Sequence, residues 1–148
     1  MRSLILDSCA DAEELTALLS SGAPIPIGVT GGSMLPTLKE RRDTVWVQQC
    51  APDTLRRGTI VFFRRTDGRF VLHRIRKISQ NGIIVNGDAQ SWCERIAPEQ
   101  ILGAVTHITR NGKKRSCVSL PCRLWELLWY PTRPIRPALI RLRRLLHH

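Results

Sequence analysis

The spacing of apolar side chains changes twice along the chain. Near the start, Ala12, Leu15, Leu18 and Leu19 recur at helical spacing, which predicts a short amphipathic helix over residues 11–19. Asp11 is placed to cap it, with Glu14 three residues on as in a capping box, and Gly22 marks its end. Pro24 and Pro26 then force residues 25–30 into extended backbone. Beyond this point the period falls to two. Residues 45–47 are β-branched and aromatic, residues 59–63 form a continuous apolar run behind the turn Arg57-Gly58, and residues 69–78 alternate. Thr66-Asp67-Gly68-Arg69 reads as a hairpin loop. Asn81-Gly82 is the strongest hairpin signal, joining residues 74–79 to 83–86. Residues 101–109 predict another strand, closed by Asn111-Gly112.

Past Lys113 the alternation dissolves. Pro121, Pro131, Pro134 and Pro137 are expected to break any long helix. Leu124, Trp125, Leu127, Leu128 and Trp129 make one apolar stretch. Residues 138–146 predict a closing helix, with Leu139, Leu142, Leu145 and Leu146 set among Arg141, Arg143 and Arg144. The expected organisation is a helical segment over residues 1–23, a mainly β domain over 24–112 and a basic tail over 113–148. The expected fold class is mainly β, a small antiparallel, barrel-like sheet. At 148 residues the chain is long enough for one core and too short for two.

Charge divides the chain in the same place. The formal net charge is +11, and ten basic residues from Arg110 onward face a single acid, Glu126. The body is nearly neutral, so any inference from charge to a partner concerns the tail. Trp125, Trp129 and Tyr130 beside arginines suit a peripheral membrane contact through residues 120–146. The alternative is that the tryptophans pack on the body and the arginines are solvated. No recognition-helix motif or interleaved aromatic ladder accompanies the charge, which argues against nucleic acid as partner.

The five cysteines, Cys9, Cys50, Cys93, Cys117 and Cys122, are odd in number and none has C-x-x-C spacing. No metal, and no other cofactor, is expected from them. With no signal-peptide layout and no run of some 18 apolar residues, they are read as thiols of a cytoplasmic protein without a membrane span.

The most informative segment is Gly31-Gly32-Ser33-Met34-Leu35-Pro36-Thr37-Leu38. A serine between glycines and a proline turn sits on tightly folded backbone with its hydroxyl accessible. Its own N–H and those of its neighbours can converge on one point, as an acyl-transfer nucleophile beside an oxyanion pocket requires. Gly-Gly-Ser is also a common loop. In Val71-Leu72-His73-Arg74-Ile75, alternation sets Val71, His73 and Ile75 on one face. A partly buried imidazole there is either a core residue or a base for the serine. Asn86-Gly87-Asp88, with Glu94 six residues beyond Asp88, offers two carboxylates that could orient the ring.

In order, these motifs resemble the signal peptidase I superfamily of serine peptidases. The blocks are residues 31–37, Asp43-x-Val-x-Val to 47, Gly58-x-Ile-Val-Phe to 62, 71–75, Gly87-Asp88 and Ile101-x-Gly-x-Val to 105. They cover roughly residues 24–110. Bacterial members use a lysine as base, and the archaeal and endoplasmic-reticulum branch uses histidine. His73 therefore resembles the second branch. The resemblance implies Ser33 as nucleophile, His73 as general base and Glu94 or Asp88 as the orienting acid. It also implies Gly31, Gly32, Met34 and Pro36 around the oxyanion and substrate. The expected activity is endoproteolysis of a leader- or signal-like peptide after small residues. Four departures stand out: Gly31 where bacterial enzymes often place a hydroxyl, Thr59 in place of the acid of the Gly-Asp turn, Glu94 for aspartate, and a short helix where the membrane anchor precedes the serine. The alternative is an inactive relative that binds peptides, membrane or nucleic acid. A self-cleaving repressor would need a helix-turn-helix that 32 residues before Ser33 cannot hold.

Overall fold

The computed structural model describes residues 12–117 and 120–146. Asp11, expected as a helix cap, Cys9, and the closing His147-His148 lie outside these residues.

Helix α1 spans Ala12–Ser20 and buries Ala12, Leu15 and Leu19. Leu18, expected on the same face, is 41% exposed. Three-residue spacing from Leu15 carries it to the rim of the apolar stripe, whereas Leu19 returns to the centre. Gly22, at φ 81°, closes the helix by donating its N–H to the Leu19 carbonyl at 3.0 Å.

Eight strands follow: β1 (Ile25–Gly28), β2 (Asp43–Gln48), β3 (Ile60–Arg64), β4 (Phe70–Ser79), β5 (Gly82–Asn86), β6 (Glu94–Ile96), β7 (Ile101–Arg110) and β8 (Lys113–Ser116). They form one antiparallel sheet in the order β1-β2-β7-β3-β4-β5-β6, with β8 added beside β7. The fold is mainly β, as the alternation predicts. The expected barrel-like closure does not occur. Closure would need β1 and β6 to pair, and these edges are four and three residues long with five strands between them.

The central strand β3 reads as an unbroken apolar run because both of its faces are covered. Ile60 and Phe62 join α1, β1, β2 and the buried Met34 and Leu38 in one cluster. Val61 and Phe63 join Ile75, Ile83, Val85 and Ile96 in a second. The site grows from the boundary of these two clusters.

Regular structure continues past Lys113, where the alternation ends, and it includes the closing helix expected over residues 138–146. Strand β8 pairs with β7 across the Asn111-Gly112 turn. Helix α2 (Leu120–Trp129), a 3₁₀ turn over Tyr130–Ile135 and helix α3 (Arg136–Leu146) follow. Pro121 and Pro137 each stand one residue inside a helix start, where the missing N–H has no helical acceptor. They open helices rather than break them. Pro131 and Pro134 fall in the 3₁₀ turn. No described helix is long and apolar enough to cross a membrane.

Candidate active site

The loop after β1 carries Ser33. Gly31 takes φ 71°, a left-handed conformation open to glycine at little cost. The chain then turns so that Met34 and Leu38, 3% and 0% exposed, plug into the first core cluster on either side of a short half-buried arc. The Leu38 N–H donates to the Met34 carbonyl at 2.9 Å. Ser33, half-buried, is held at the lip of this arc.

A second loop, between β5 and β6, fastens it from the other side. The Ala89 N–H donates to the Ser33 carbonyl at 2.9 Å. The approach is so close that a Cβ on Gly87 would lie 2.6 Å from the Ser33 oxygen and 2.7 Å from Gln90 Oε1. Gly87 is therefore required by contact rather than by turn geometry.

His73 lies in mid-β4 opposite Val61 in the register. Alternation puts it on the face of Val71 and Ile75, as the sequence pattern predicts. Its ring is 1% exposed and meets Phe63 edge-on at 5.8 Å and Trp92 at 6.4 Å. Glu94 opens β6 opposite Val85, which is itself opposite Ile75, so it falls on the same face. Its Oε1 stands 3.0 Å from His73 Nδ1, within ion-pair distance though out of line for a full hydrogen bond. Nε2 has no hydrogen-bond partner among the described residues. Arg65 takes both Glu94 oxygens, Nη2 at 2.6 Å and Nε at 3.0 Å.

Burial pushes the His73 pKa down to about 4; Glu94 opposes this and Arg65 adds to it. The imidazole is thus neutral across the neutral range. With the proton on Nδ1 toward Glu94, Nε2 is left as an acceptor.

Ser33 and His73 line one cleft of about 210 Å³. Ile27, Val29, Phe62, Phe70 and Leu72 give it an apolar wall, and Thr30, Arg65, Arg69 and Gln90 contribute polar groups. Met34 is part of the wall. Gly31, Gly32 and Pro36 shape the turn behind it and do not line it.

Asp88 is engaged elsewhere. Fully buried, it accepts from Arg74 Nε and Nη2 at 3.0 and 2.8 Å, from Arg76 at 3.2 Å and from the Thr37 hydroxyl at 2.6 Å. Of the two carboxylates proposed for His73, Glu94 is the one beside it. Asp88 ties the Ser33 loop to the β4–β5 layer.

Sequence reasoning missed Arg65, Trp92 and Gln90. Arg65 sits just before Thr66-Asp67-Gly68 and reads only as a hairpin flank. Trp92 and Gln90 fall in a stretch with no period. Among the described residues, no three His, Cys, Asp or Glu side chains converge as a metal site. No protein-family model matches the chain, and it has no significant match to any curated protein.

Proposed function

We propose that the chain is a serine endopeptidase of signal-peptidase type, cleaving a leader-like peptide through Ser33 and His73. The observation that carries this reading is that Ser33 and His73 line the same cleft, with Glu94 3.0 Å behind the imidazole.

A peptide enters extended along the cleft. Ser33 Oγ attacks the scissile carbonyl carbon as its proton passes to His73 Nε2. The backbone N–H groups around Ser33, and the Thr30 hydroxyl at the cleft wall, are the donors for the oxyanion. The imidazolium is stabilised by Glu94, then gives its proton to the departing amine as the C–N bond breaks. Water, deprotonated by His73, attacks the acyl ester and releases Ser33. Apolar Ile27, Val29 and Leu72 leave room for small side chains and offer nothing to a buried charge.

The test is cleavage of a pool of peptides with small residues before the scissile bond, read by mass spectrometry. Ser33→Ala and His73→Ala should each lower turnover by about 10³-fold or more, and the double variant should lose little further, because the two act as one unit. Cleavage that survives Ser33→Ala refutes the assignment.

A further inference from the structure

Eleven large hydrophobic side chains among the described residues are markedly exposed, and eight of them lie between Leu124 and Leu146. On α2, Leu124, Leu127 and Leu128 are 59, 70 and 64% exposed. On α3, Leu142, Leu145 and Leu146 are 54, 76 and 74% exposed. Each triplet follows i, i+3, i+4, so each helix turns one leucine face to solvent. Scattered exposed leucines need no explanation, but such a concentration marks a surface that something covers.

The helices are nevertheless anchored. Trp129 Nε1 donates to the Asp88 carbonyl at 2.7 Å and Trp125 Nε1 to the Thr37 hydroxyl at 2.9 Å. The Tyr130 ring lies between the guanidinium groups of Arg57 and Arg76, at 4.7 and 5.1 Å. The leucine face of α2 is therefore what remains once its inner face is docked, while α3 is held at its start by the buried Arg136 and is exposed from Arg141 to Leu146.

Charge selects the occupant. Arg123, Arg141, Arg143 and Arg144 are exposed beside the leucines. The one acid of the segment, Glu126, is turned inward: its carboxylate packs on Gly58 and stands 3.6 Å from Arg76 Nη1. Among the described residues the outer surface of the two helices is apolar and cationic, with no exposed carboxylate. Two copies meeting through α3 would bring their arginine clusters together, so the pattern disfavours self-association. An anionic lipid surface meets both requirements: leucines enter the headgroup boundary while arginines reach lipid phosphates. A ten-residue α2 is about 15 Å long, half a bilayer core, so the helices lie in the interface.

We infer that α2 and α3 form a peripheral docking face for anionic membrane surfaces. This does not rest on the peptidase reading: Ser33→Ala should bind membranes as the parent does. The experiment is sedimentation of the full chain with vesicles of equal phosphatidylglycerol and phosphatidylcholine, and with phosphatidylcholine alone, in low and high salt. The protein should pellet with the anionic vesicles in low salt and stay in solution with the neutral ones. Leu127→Ser with Leu145→Ser should cut the partition coefficient about tenfold or more without changing the melting temperature. Arg141→Gln, Arg143→Gln and Arg144→Gln together should cut it on the order of a hundredfold. Protein that stays in the supernatant with anionic vesicles in low salt overturns the inference. So does a leucine variant that binds like the parent, or a parent dimer dissolved by the leucine substitutions without any vesicle binding.

Discussion

Thr37 and Asp88 stand 51 residues apart in the chain, yet the threonine hydroxyl donates to the Asp88 carboxylate at 2.6 Å. The same hydroxyl accepts from Trp125 at 2.9 Å, so three separate segments meet at one oxygen. The Ser33 loop, the turn after β5 and helix α2 are thereby fixed to one another. Burial alone would push the Asp88 pKa up, but Arg74, Thr37 and Arg76 together hold it below the usual carboxylate range.

Asp88→Asn should therefore act on stability first. It leaves Arg74 and Arg76, both buried, without their anion, at a cost of about 3–5 kcal/mol. Denaturant melts check this. The sign of the pH dependence follows from the depressed folded pKa. The unfolded state takes up the proton first, so the contribution is complete above pH ~4 and is lost as pH falls through the folded value. The parent should lose more stability than the variant on acidification below that point. A variant that melts like the parent but cannot cleave would instead put Asp88 in the chemistry.

The pair behind the imidazole gives a second prediction, with opposite signs for its two members. Because His73 is held near 4, the acid limb of kcat/KM should lie well below the 6.5 of an ordinary histidine. Arg65→Gln removes a cation that pushes His73 down, and should move the limb up. Glu94→Gln removes the anion that pushes it up, should move the limb lower, and should cost about 10²-fold in turnover. Stability has its own sign. The unfolded state binds more protons between about pH 4 and 6.5, so the fold weakens as pH drops through that window, by on the order of 3 kcal/mol. pH-rate profiles of the three proteins decide the matter; limbs that coincide would separate His73 from both neighbours.

Much of this was readable along the chain. Period-two alternation put His73 with Val71 and Ile75, and the register opposite Val61 agrees. The hairpin signalled by Asn81-Gly82 does join β4 to β5, but Gln80 and Asn81 form its loop: Ser79 pairs with Gly82, which opens β5 at φ 120°. Strand β6 escaped because three residues cannot display a period, and its pairing with β5 is set by long-range contacts. Helix α2 was obscured by Pro121, a breaker within a helix and an ordinary residue at its first turn. Which carboxylate reaches His73 was also out of reach of spacing. Asp88 and Glu94 are six residues apart, and only their arginine partners, the buried Arg74 and Arg76 against the half-buried Arg65, send them to different places.

Gly87 supplies a third test. A methyl at this position would meet the Ser33 carbonyl at 2.6 Å, and that carbonyl is backbone, which cannot swing aside as a side chain can. Gly87→Ala should push the Ser33 loop outward by a few tenths of an ångström. We expect a stability loss of about 1–3 kcal/mol and a fall in kcat on the order of 10²-fold, with KM less affected. A crystal structure of the variant with Ser33 unmoved and full turnover would show that the close approach is incidental.

Arg136 carries the last prediction, because it links the C-terminal helices to the cleft. Its side chain is 0% exposed, and burial lowers its pKa to about 10, which leaves it charged at neutral pH. It donates to Asn86 Oδ1, to the Gln90 carbonyl at 3.1 Å and to the Trp129 carbonyl at 3.2 Å. Gln90 in turn lines the cleft with Ser33. Arg136→Met keeps the volume and strands those acceptors in a dry site, which costs about 1–3 kcal/mol for each one that water cannot reach. The helices should loosen, and the stacked Trp125 and Trp129 should report it as a red shift in emission. The cleft should report it separately, as lower kcat/KM for peptides. Arg136→Lys should recover part of the stability, because it restores the charge, but less of the cleavage, because one ammonium cannot span three acceptors. If emission and cleavage are both unchanged in Arg136→Met, the C-terminal helices are bystanders to the site, and the Gln90 loop stands without them.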